Sequence, residues 1–79
     1  MKLLVNRADL MLSRVKSGYS QRELSRLIDA SNSYITQIES GDRNPSPRLA
    51  RKICEVLMVE FESIFFVEGV SKSNHSINV

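Results

Sequence analysis

The sequence has few of the residues that cross-link or punctuate small chains: one cysteine, two prolines, three glycines and no tryptophan. A single cysteine excludes an intrachain disulfide and favours a reducing, intracellular setting over a secreted one. The first residues, MKLLVNRADLML, lack the uninterrupted apolar run of a signal peptide, and no later stretch is long and apolar enough to span a membrane. The sequence therefore predicts a cytoplasmic protein without a membrane partner.

Neither sign of charge predominates. Eleven lysines and arginines stand against nine aspartates and glutamates, so the formal net charge at pH 7 is only +2. This value permits an acidic partner but does not require one. The 79 residues suffice for one domain. Because so short a chain buries only a small core, its stability alone is marginal and self-association is expected.

Apolar residues recur at helical spacing, and strand-like alternation is absent. A first helix is predicted from Arg7 to Ser17, with Asn6 as its N-cap and Gly18 as a left-handed stop. Its buried stripe is predicted at i, i+3, i+4 and i+7 spacing, and it consists of Ala8, Met11, Leu12 and Val15.

The second helix has the clearest start in the sequence. The segment SQRE at 20–23 matches a capping box, in which the Ser20 hydroxyl accepts from the Glu23 amide and the Glu23 carboxylate accepts from the Ser20 amide. The helix is expected to end at 29–30, and its apolar stripe is predicted to contain Leu24, Leu27 and Ile28.

A third helix follows almost at once. Ser31 is its predicted N-cap and Gly41 its stop. Ile35 and Ile38 are predicted to face inward, with Tyr34 beside them. This leaves little chain between the second and third helices.

Ser46 and Pro47 predict the start of a fourth helix, as N-cap and first helical residue. Its buried stripe is predicted to contain Leu49, Ala50, Ile53, Cys54 and Leu57. A short fifth helix is predicted over 61–66. From residue 69 the chain is small and polar, which indicates a disordered tail. The sequence thus predicts a compact, all-α, five-helix domain over residues 1–68 and a tail over residues 69–79.

Two helices joined by three or four residues form a helix-turn-helix. Such a turn brings the helices together near position 25, where Ser25 is suitably small. The turn favours a residue that tolerates positive φ, which Asp29 does less easily than glycine. The start of the third helix then presents four polar side chains outward, namely Asn32, Ser33, Thr36 and Gln37.

This polar face suits the major groove of DNA, where Asn and Gln pair bidentately with adenine. A merely solvated face is the alternative interpretation, but the small residue at 25 and the flanking basic residues favour DNA. Basic residues around the face hold phosphates without reading sequence, and they are Arg22, Arg26, Arg43, Arg48, Arg51 and Lys52. Arg51 and Lys52 are expected to be solvated, whereas Arg43 is expected to contact phosphate.

Residues from about 8 to 66 resemble the lambda-repressor-like helix-turn-helix family, also called the XRE or Cro/repressor type. The resemblance is carried by SQRELSRLIDASNSYITQIESGDRNPS and by LARKICEVLMVEFESIF. It implies a five-helix bundle whose third helix enters the major groove. It also implies that two copies bind a two-fold-related operator.

The resemblance further implies that Gln21 contacts phosphate and braces the third helix. Base reading is implied for Asn32, Ser33 and Gln37. Together with the charge pattern, the positions assigned to DNA are Gln21, Arg22, Ser31, Asn32, Ser33, Tyr34, Thr36, Gln37, Arg43 and Asn44.

Four of these positions have other implied roles. Tyr34 and Thr36 are implied to touch the DNA backbone or a thymine methyl, and Arg43 and Asn44 to hold phosphate from the loop.

The sequence departs from the family pattern at two positions. Asp29 stands where the family usually has glycine, and Met58 stands where a glycine commonly ends the fourth helix.

No constellation of residues indicates catalysis. Cys54 lies on the apolar stripe of the fourth helix, so a core role is favoured over that of a nucleophile or sensor. His75 has no cysteine or histidine at ligand spacing, which argues against a metal site. Neither a nucleophile–base pair nor a glycine-rich phosphate loop occurs in the sequence. No enzyme activity, cofactor or metal is therefore expected.

The C-terminal end of the predicted domain is unusually apolar. Some of its side chains must close the core, and the excess suggests a self-complementary surface for a two-fold-symmetric dimer. The alternative is that all of them pack within the monomer. The residues assigned to the dimer interface are Met58, Phe61, Phe65, Phe66 and Val67.

Together these features predict a sequence-specific, DNA-binding transcriptional regulator, in the form of a homodimeric repressor on a two-fold-symmetric operator. The small size suits a controller of the phage, mobile-element or restriction-modification type, and an activator role is compatible with the same residues. The alternative is a protein-interaction module of the same fold, such as an antitoxin or the partner of an antirepressor. A regulatory protein is accordingly a second candidate partner.

Overall fold

The computed structural model describes residues 2–69. This part of the chain forms a short strand, four α-helices, one 3-10 turn and a second short strand. Their bounds are β1 Leu3–Val5, α1 Arg7–Lys16, α2 Gln21–Leu27, α3 Tyr34–Ser40, α4 Pro47–Leu57, the 3-10 turn Phe61–Ser63 and β2 Phe65–Val67. Apart from residue 69, the predicted tail lies outside the described residues.

All four helices and the segment after them contribute to one apolar core. Its buried members are Leu10, Leu24, Ile28, Tyr34, Ile35, Ile38, Ala50, Ile53, Cys54, Leu57, Ile64 and Phe65. The predicted stripe of α4 is confirmed, except that Leu49 is only partly buried. The Ser46 hydroxyl caps α4 by accepting from the Leu49 amide at 3.2 Å, as predicted.

The prediction of an all-α fold with five helices was wrong at the two ends of the domain. β1 and β2 pair as an antiparallel sheet, with Leu3 opposite Val67 and Val5 opposite Phe65. The predicted fifth helix is only a 3-10 turn, after which the chain extends into β2. Strands of three residues are too short to show alternation, and their partners lie at opposite ends of the domain, so periodicity missed them.

The predicted buried face of α1 was also wrong. Met11, Leu12 and Val15 are 47%, 52% and 58% exposed. Leu10 is fully buried instead, and Arg14 lies on the same inward side. The helix is therefore turned by about half a revolution from the orientation that its apolar residues predict.

The predicted capping box of α2 is confirmed in both directions. The Glu23 amide donates to the Ser20 hydroxyl at 3.0 Å, and the Ser20 amide donates to the Glu23 carboxylate at 2.9 Å. The hydrogen bond from the Ser20 backbone amide, followed by the Ser20 side chain, holds the pKa of the Glu23 carboxyl below its usual value. Leu27 ends the helix earlier than predicted and is half exposed, not buried.

Helix α3 begins at Tyr34, later than the Ser31 cap predicts. Ser25 accounts for the difference, because its buried hydroxyl accepts from the Ile35 amide at 3.0 Å and donates to the Gln21 carbonyl at 2.9 Å. One of the free amides at the start of α3 is thus satisfied from α2. Gly41 ends α3 with φ +88°, as predicted.

Among residues 2–69, two non-glycine residues have positive φ, and they are the two that depart from the family pattern. Asp29 has φ 60° after α2, and Met58 has φ 58° at the end of α4. Left-handed backbone is unfavourable for a residue with a Cβ, although aspartate tolerates it better than most. Both positions therefore hold local backbone strain that glycine would relieve.

A polar network ties α1 to α3. Arg14 donates to the two carboxylate oxygens of Glu39 at 2.7 and 3.1 Å and to the Tyr19 carbonyl at 2.9 Å. The side-chain nitrogen of Gln21 donates to the Glu39 carboxylate at 2.8 Å, and its side-chain oxygen accepts from the Thr36 hydroxyl at 2.9 Å. The Arg14 and Glu39 side chains are only 11% and 6% exposed. The network therefore runs from the interior out to the exposed side of α3.

Arg14→Met should lower the free energy of unfolding by about 3–5 kcal/mol, because it leaves the Glu39 carboxylate buried without its counter-ion. Arg51→Met is the matched control, since the Arg51–Glu55 pair is exposed and 3.5 Å long. It should change the free energy by less than about 1 kcal/mol. Urea unfolding measures both, and equal losses would contradict a structural role for the buried pair.

Asp29→Gly should raise the free energy of unfolding by about 0.5–1 kcal/mol, because glycine adopts positive φ without steric cost. The variant loses only an exposed 3.6 Å ion pair with Lys52. Ser17→Gly is the control, because Ser17 ends α1 with φ −82° and gains nothing from glycine. The Ser17→Gly variant should instead have a lower free energy of unfolding, by about 0.5–1 kcal/mol. Thermal or urea unfolding compares them, and a destabilised Asp29→Gly would refute the strain.

Candidate nucleic-acid interface

The α2–α3 unit has the arrangement of a helix-turn-helix. The connection covers 28–33, which is longer than the three or four residues predicted, because both helices are shorter. The Ala30 amide donates to the Ser25 carbonyl at 2.9 Å, and this bond folds the turn back on α2. The side chains of Ile28 and Ile35 fix the pair from the core side. The turn and the start of α3 consequently stand at the surface.

The polar residues before and at the start of α3 share this surface. Ser31, Asn32, Ser33 and Thr36 are exposed, and Gln37 is half-buried. The side-chain amide of Gln37 donates to the Ser33 hydroxyl over a long distance of 3.4 Å, so this hydrogen bond holds the Gln37 side chain only weakly. Five uncharged side chains with both donors and acceptors therefore lie together on this face.

Gln21 stands beside this face and is joined to it. Its side-chain oxygen accepts from Thr36, and its nitrogen donates to Glu39. A side-chain amide nitrogen carries two hydrogens, so one donor of Gln21 remains for another partner. The structure thus makes Gln21 a brace between α2 and α3.

Tyr34 is not part of the exposed face. Its side chain is only 3% exposed, and its hydroxyl accepts from the Ser46 amide at 3.2 Å. The expectation that Tyr34 touches DNA is therefore corrected, because its ring is committed to the core. The Arg43 guanidinium lies 5.4 Å from the ring centroid, so Tyr34 supports the loop instead.

The loop after α3 carries two of the predicted phosphate contacts at the surface. Arg43 and Asn44 are both exposed, and the buried Pro45 follows them. Arg22 is exposed at the start of α2. Within residues 2–69, neither Arg22 nor Arg43 forms an ion pair, so both charges are available to an anion. Arg51 and Lys52, in contrast, pair with carboxylates of their own chain.

The structure separates the predicted C-terminal interface into surface and core residues. Phe65 is fully buried, with its ring 5.4 Å from that of Phe61, so it cannot offer its side chain to a partner. Met58 is 89% exposed and Phe66 39% exposed, and both are available. Phe61 and Val67 are half-buried. We call Met58, Phe61, Phe66 and Val67 the C-terminal surface.

Cys54 has the environment of a core residue. Burial, followed by the nearby carboxylates of Glu62 and Glu55, raises the pKa of its thiol to about 11. The thiol therefore stays protonated and unreactive near neutral pH. Within residues 2–69 no three side chains are grouped to hold a metal ion, and no helix there is long and apolar enough to cross a membrane. His75 lies outside the described residues.

Arg14 and Glu39 are the residues that sequence reasoning missed. They determine where Gln21 and Thr36 lie, but they are 25 positions apart in the chain. The only local signal is the spacing of Leu10, Arg14 and Ser17 along one side of α1. That side of α1 contains a single apolar residue, whereas the opposite side contains four. Apolar periodicity therefore predicted the wrong side as the buried one.

Known proteins with similar sequences have a helix-turn-helix as well. Residues 10–64 match the family model for helix-turn-helix proteins. The chain is 36% identical over 55 residues to the HTH-type transcriptional regulator YgzD of Bacillus subtilis. The aligned segment covers 70% of this chain and 83% of YgzD. It is 31% identical over 67 residues to YqaF of the same organism, covering 85% and 87%.

A solved structure is similar as well. The restriction-modification controller protein C.AhdI from Aeromonas hydrophila superposes with a TM-score of 0.67 at 30% identity. The match covers 72% of this chain and 86% of the controller. The sequence matches, the fold and the exposed polar face of α3 agree, and the chain belongs to the XRE-type helix-turn-helix family of DNA-binding transcriptional regulators.

Proposed function

We propose that this protein is a transcriptional repressor that binds a two-fold-symmetric operator as a homodimer. The observation that carries the proposal is the exposed polar face at the start of α3, which is tied to α2 by Ser25 and by the network through Gln21. A helix with such a face fits the major groove, where base edges are read.

Base reading is assigned to Gln37, Asn32 and Ser33. Gln37 makes only a long hydrogen bond within the chain and can exchange it for the edge of an adenine. Asn32 precedes α3 and is fully available. Ser31 and Thr36 border these residues and are assigned to the nearby DNA backbone. The absence of arginine and lysine from α3 itself disfavours a bidentate contact with guanine from this helix.

Phosphate binding is assigned to residues on both sides of α3. Arg43 and Asn44 extend from the loop after it, and Arg22 with the free donor of Gln21 extends from α2. The Tyr34 ring under Arg43 limits the positions of that guanidinium. Such contacts fix the position of α3 on the duplex without reading its sequence.

The C-terminal surface is proposed as the dimer contact. Met58 and Phe66 expose apolar area that a two-fold axis can bury twice. A dimer of this kind reads half-sites about 34 Å apart, one turn of DNA. Repression then follows from occlusion of polymerase. The similarity to a restriction-modification controller supports that class ahead of phage or mobile-element regulators.

Selection of bound duplexes from a random pool at about 150 mM salt tests the proposal directly, because non-specific binding is weak there. We expect an inverted repeat with adenine-rich half-sites. Bulk binding without a motif would contradict sequence-specific repression. It would favour the interaction-module alternative, with the C-terminal surface holding a regulatory protein.

Gln37→Ala should weaken binding to the selected operator by about 1–3 kcal/mol and relax the preference at one base pair per half-site. The reason is that the adenine edge loses a bidentate partner. Fluorescence titration with the operator, with single-base variants and with random duplex measures the effect. An equal loss on operator and random DNA would show that Gln37 does not read a base.

Arg43→Ala should weaken binding to all duplexes alike, and the slope of log K against log salt should fall in magnitude by about one per chain. Arg51→Ala is the matched control, because its guanidinium is exposed and already paired with Glu55. It should leave both the affinity and the slope unchanged. A loss confined to the operator sequence would contradict a phosphate contact for Arg43.

A further inference from the structure

The outward side of α1 is apolar along the whole helix. Ala8, Met11, Leu12 and Val15 are all exposed. Their spacing places them on one face, opposite the side that buries Leu10. The outward face of a surface helix is normally polar, so these four residues, the α1 stripe, are unusual.

We propose that the α1 stripe is an interface with a second copy of this chain. In this contact two α1 helices pack antiparallel across a two-fold axis. The interface is distinct from the C-terminal surface, and it does not depend on the proposed DNA binding.

The order of residues in the stripe is self-complementary. Its positions are symmetric about the midpoint between Met11 and Leu12. In an antiparallel pair centred there, Met11 lies at the level of the partner's Leu12, and Ala8 lies at the level of the partner's Val15. The larger side chains therefore meet at the centre of the contact, and a small Ala8 faces a Val15 at each end, which suits close packing of two like helices.

The charges beside the stripe favour the same arrangement. Asp9 and Lys16 are seven residues apart, about two helical turns, so they lie along the same flank of α1. A two-fold axis between antiparallel helices keeps each flank on its own side and reverses its direction. Asp9 then comes within about 3 Å along the axis of the partner's Lys16, and the pair occurs twice.

Both groups are free to make this contact. Asp9 and Lys16 are exposed, and neither forms an ion pair with another residue among 2–69. A parallel two-fold pair would instead carry the two flanks to opposite sides of the contact, so neither Asp9 nor Lys16 would meet its counter-ion. Charge complementarity therefore selects a second copy in the antiparallel orientation as the occupant of the stripe.

The stripe is small compared with the area of a permanent dimer, so the association should be weak. Sedimentation equilibrium from about 10 μM to 1 mM covers the relevant range. It should be run without DNA on the wild type and on Met58→Glu, which removes association through the C-terminal surface. We expect Met58→Glu to retain a reversible monomer–dimer equilibrium.

Leu12→Glu in the Met58→Glu background should abolish this equilibrium, because Leu12 is next to the two-fold axis and two carboxylates would meet there. Leu12 is half exposed, so the fold should survive, and circular dichroism checks that it does. Arg26→Glu is the control, as an exposed charge reversal on α2, and it should leave the dissociation constant unchanged. Association that persists in Leu12→Glu would overturn the proposal.

A charge-reversal pair tests the orientation. Asp9→Lys and Lys16→Glu alone should each raise the dissociation constant, by about threefold or more for exposed pairs formed twice. The double variant should return to the value of the parent. A merely structural effect of either substitution would not be rescued, so failure of the double variant to recover would overturn the antiparallel contact. A sample that is monomeric throughout would do the same, and neither result would bear on DNA binding.

Discussion

The buried ion pair between Arg14 and Glu39 is the interaction on which the placement of α3 depends. It joins α1 to α3 through two short hydrogen bonds at a site nearly closed to water. Either charge alone would be buried without compensation, so the two helices are held in one relative position. Gln21 extends the restraint from Glu39 to Thr36 at the surface. The exposed face of α3 is thus fixed from the interior outward.

Features with local causes could be predicted from the sequence. The capping box at 20–23, the Ser46 cap and the left-handed stop at Gly41 involve residues within one helical turn of each other, and all three are confirmed. The strained positions Asp29 and Met58 were marked instead by the family resemblance, since each stands where the family has a glycine and the backbone still has positive φ. The polar face of α3 follows from the same local pattern.

Features with distant causes could not be predicted in this way. The β1–β2 sheet joins the two ends of the domain, and its strands are too short for alternation to show. The family resemblance implied a DNA contact for Tyr34, but its hydroxyl accepts from the backbone amide of Ser46, twelve positions away. In each case a partner outside the local window decides the side chain's position.

The orientation of α1 depends on both a local pattern and a distant partner. Periodicity assigns the apolar side of a helix to the core, and in α1 that side faces solvent. The inward side carries Leu10 together with Arg14, because the bond to Glu39 requires a guanidinium there. Burying a paired charge on α1 therefore leaves its apolar residues outside. The interaction that aligns α3 also exposes the α1 stripe, so the same constraint accounts for both the placement of the α3 face and the apolar surface that we propose for a second copy.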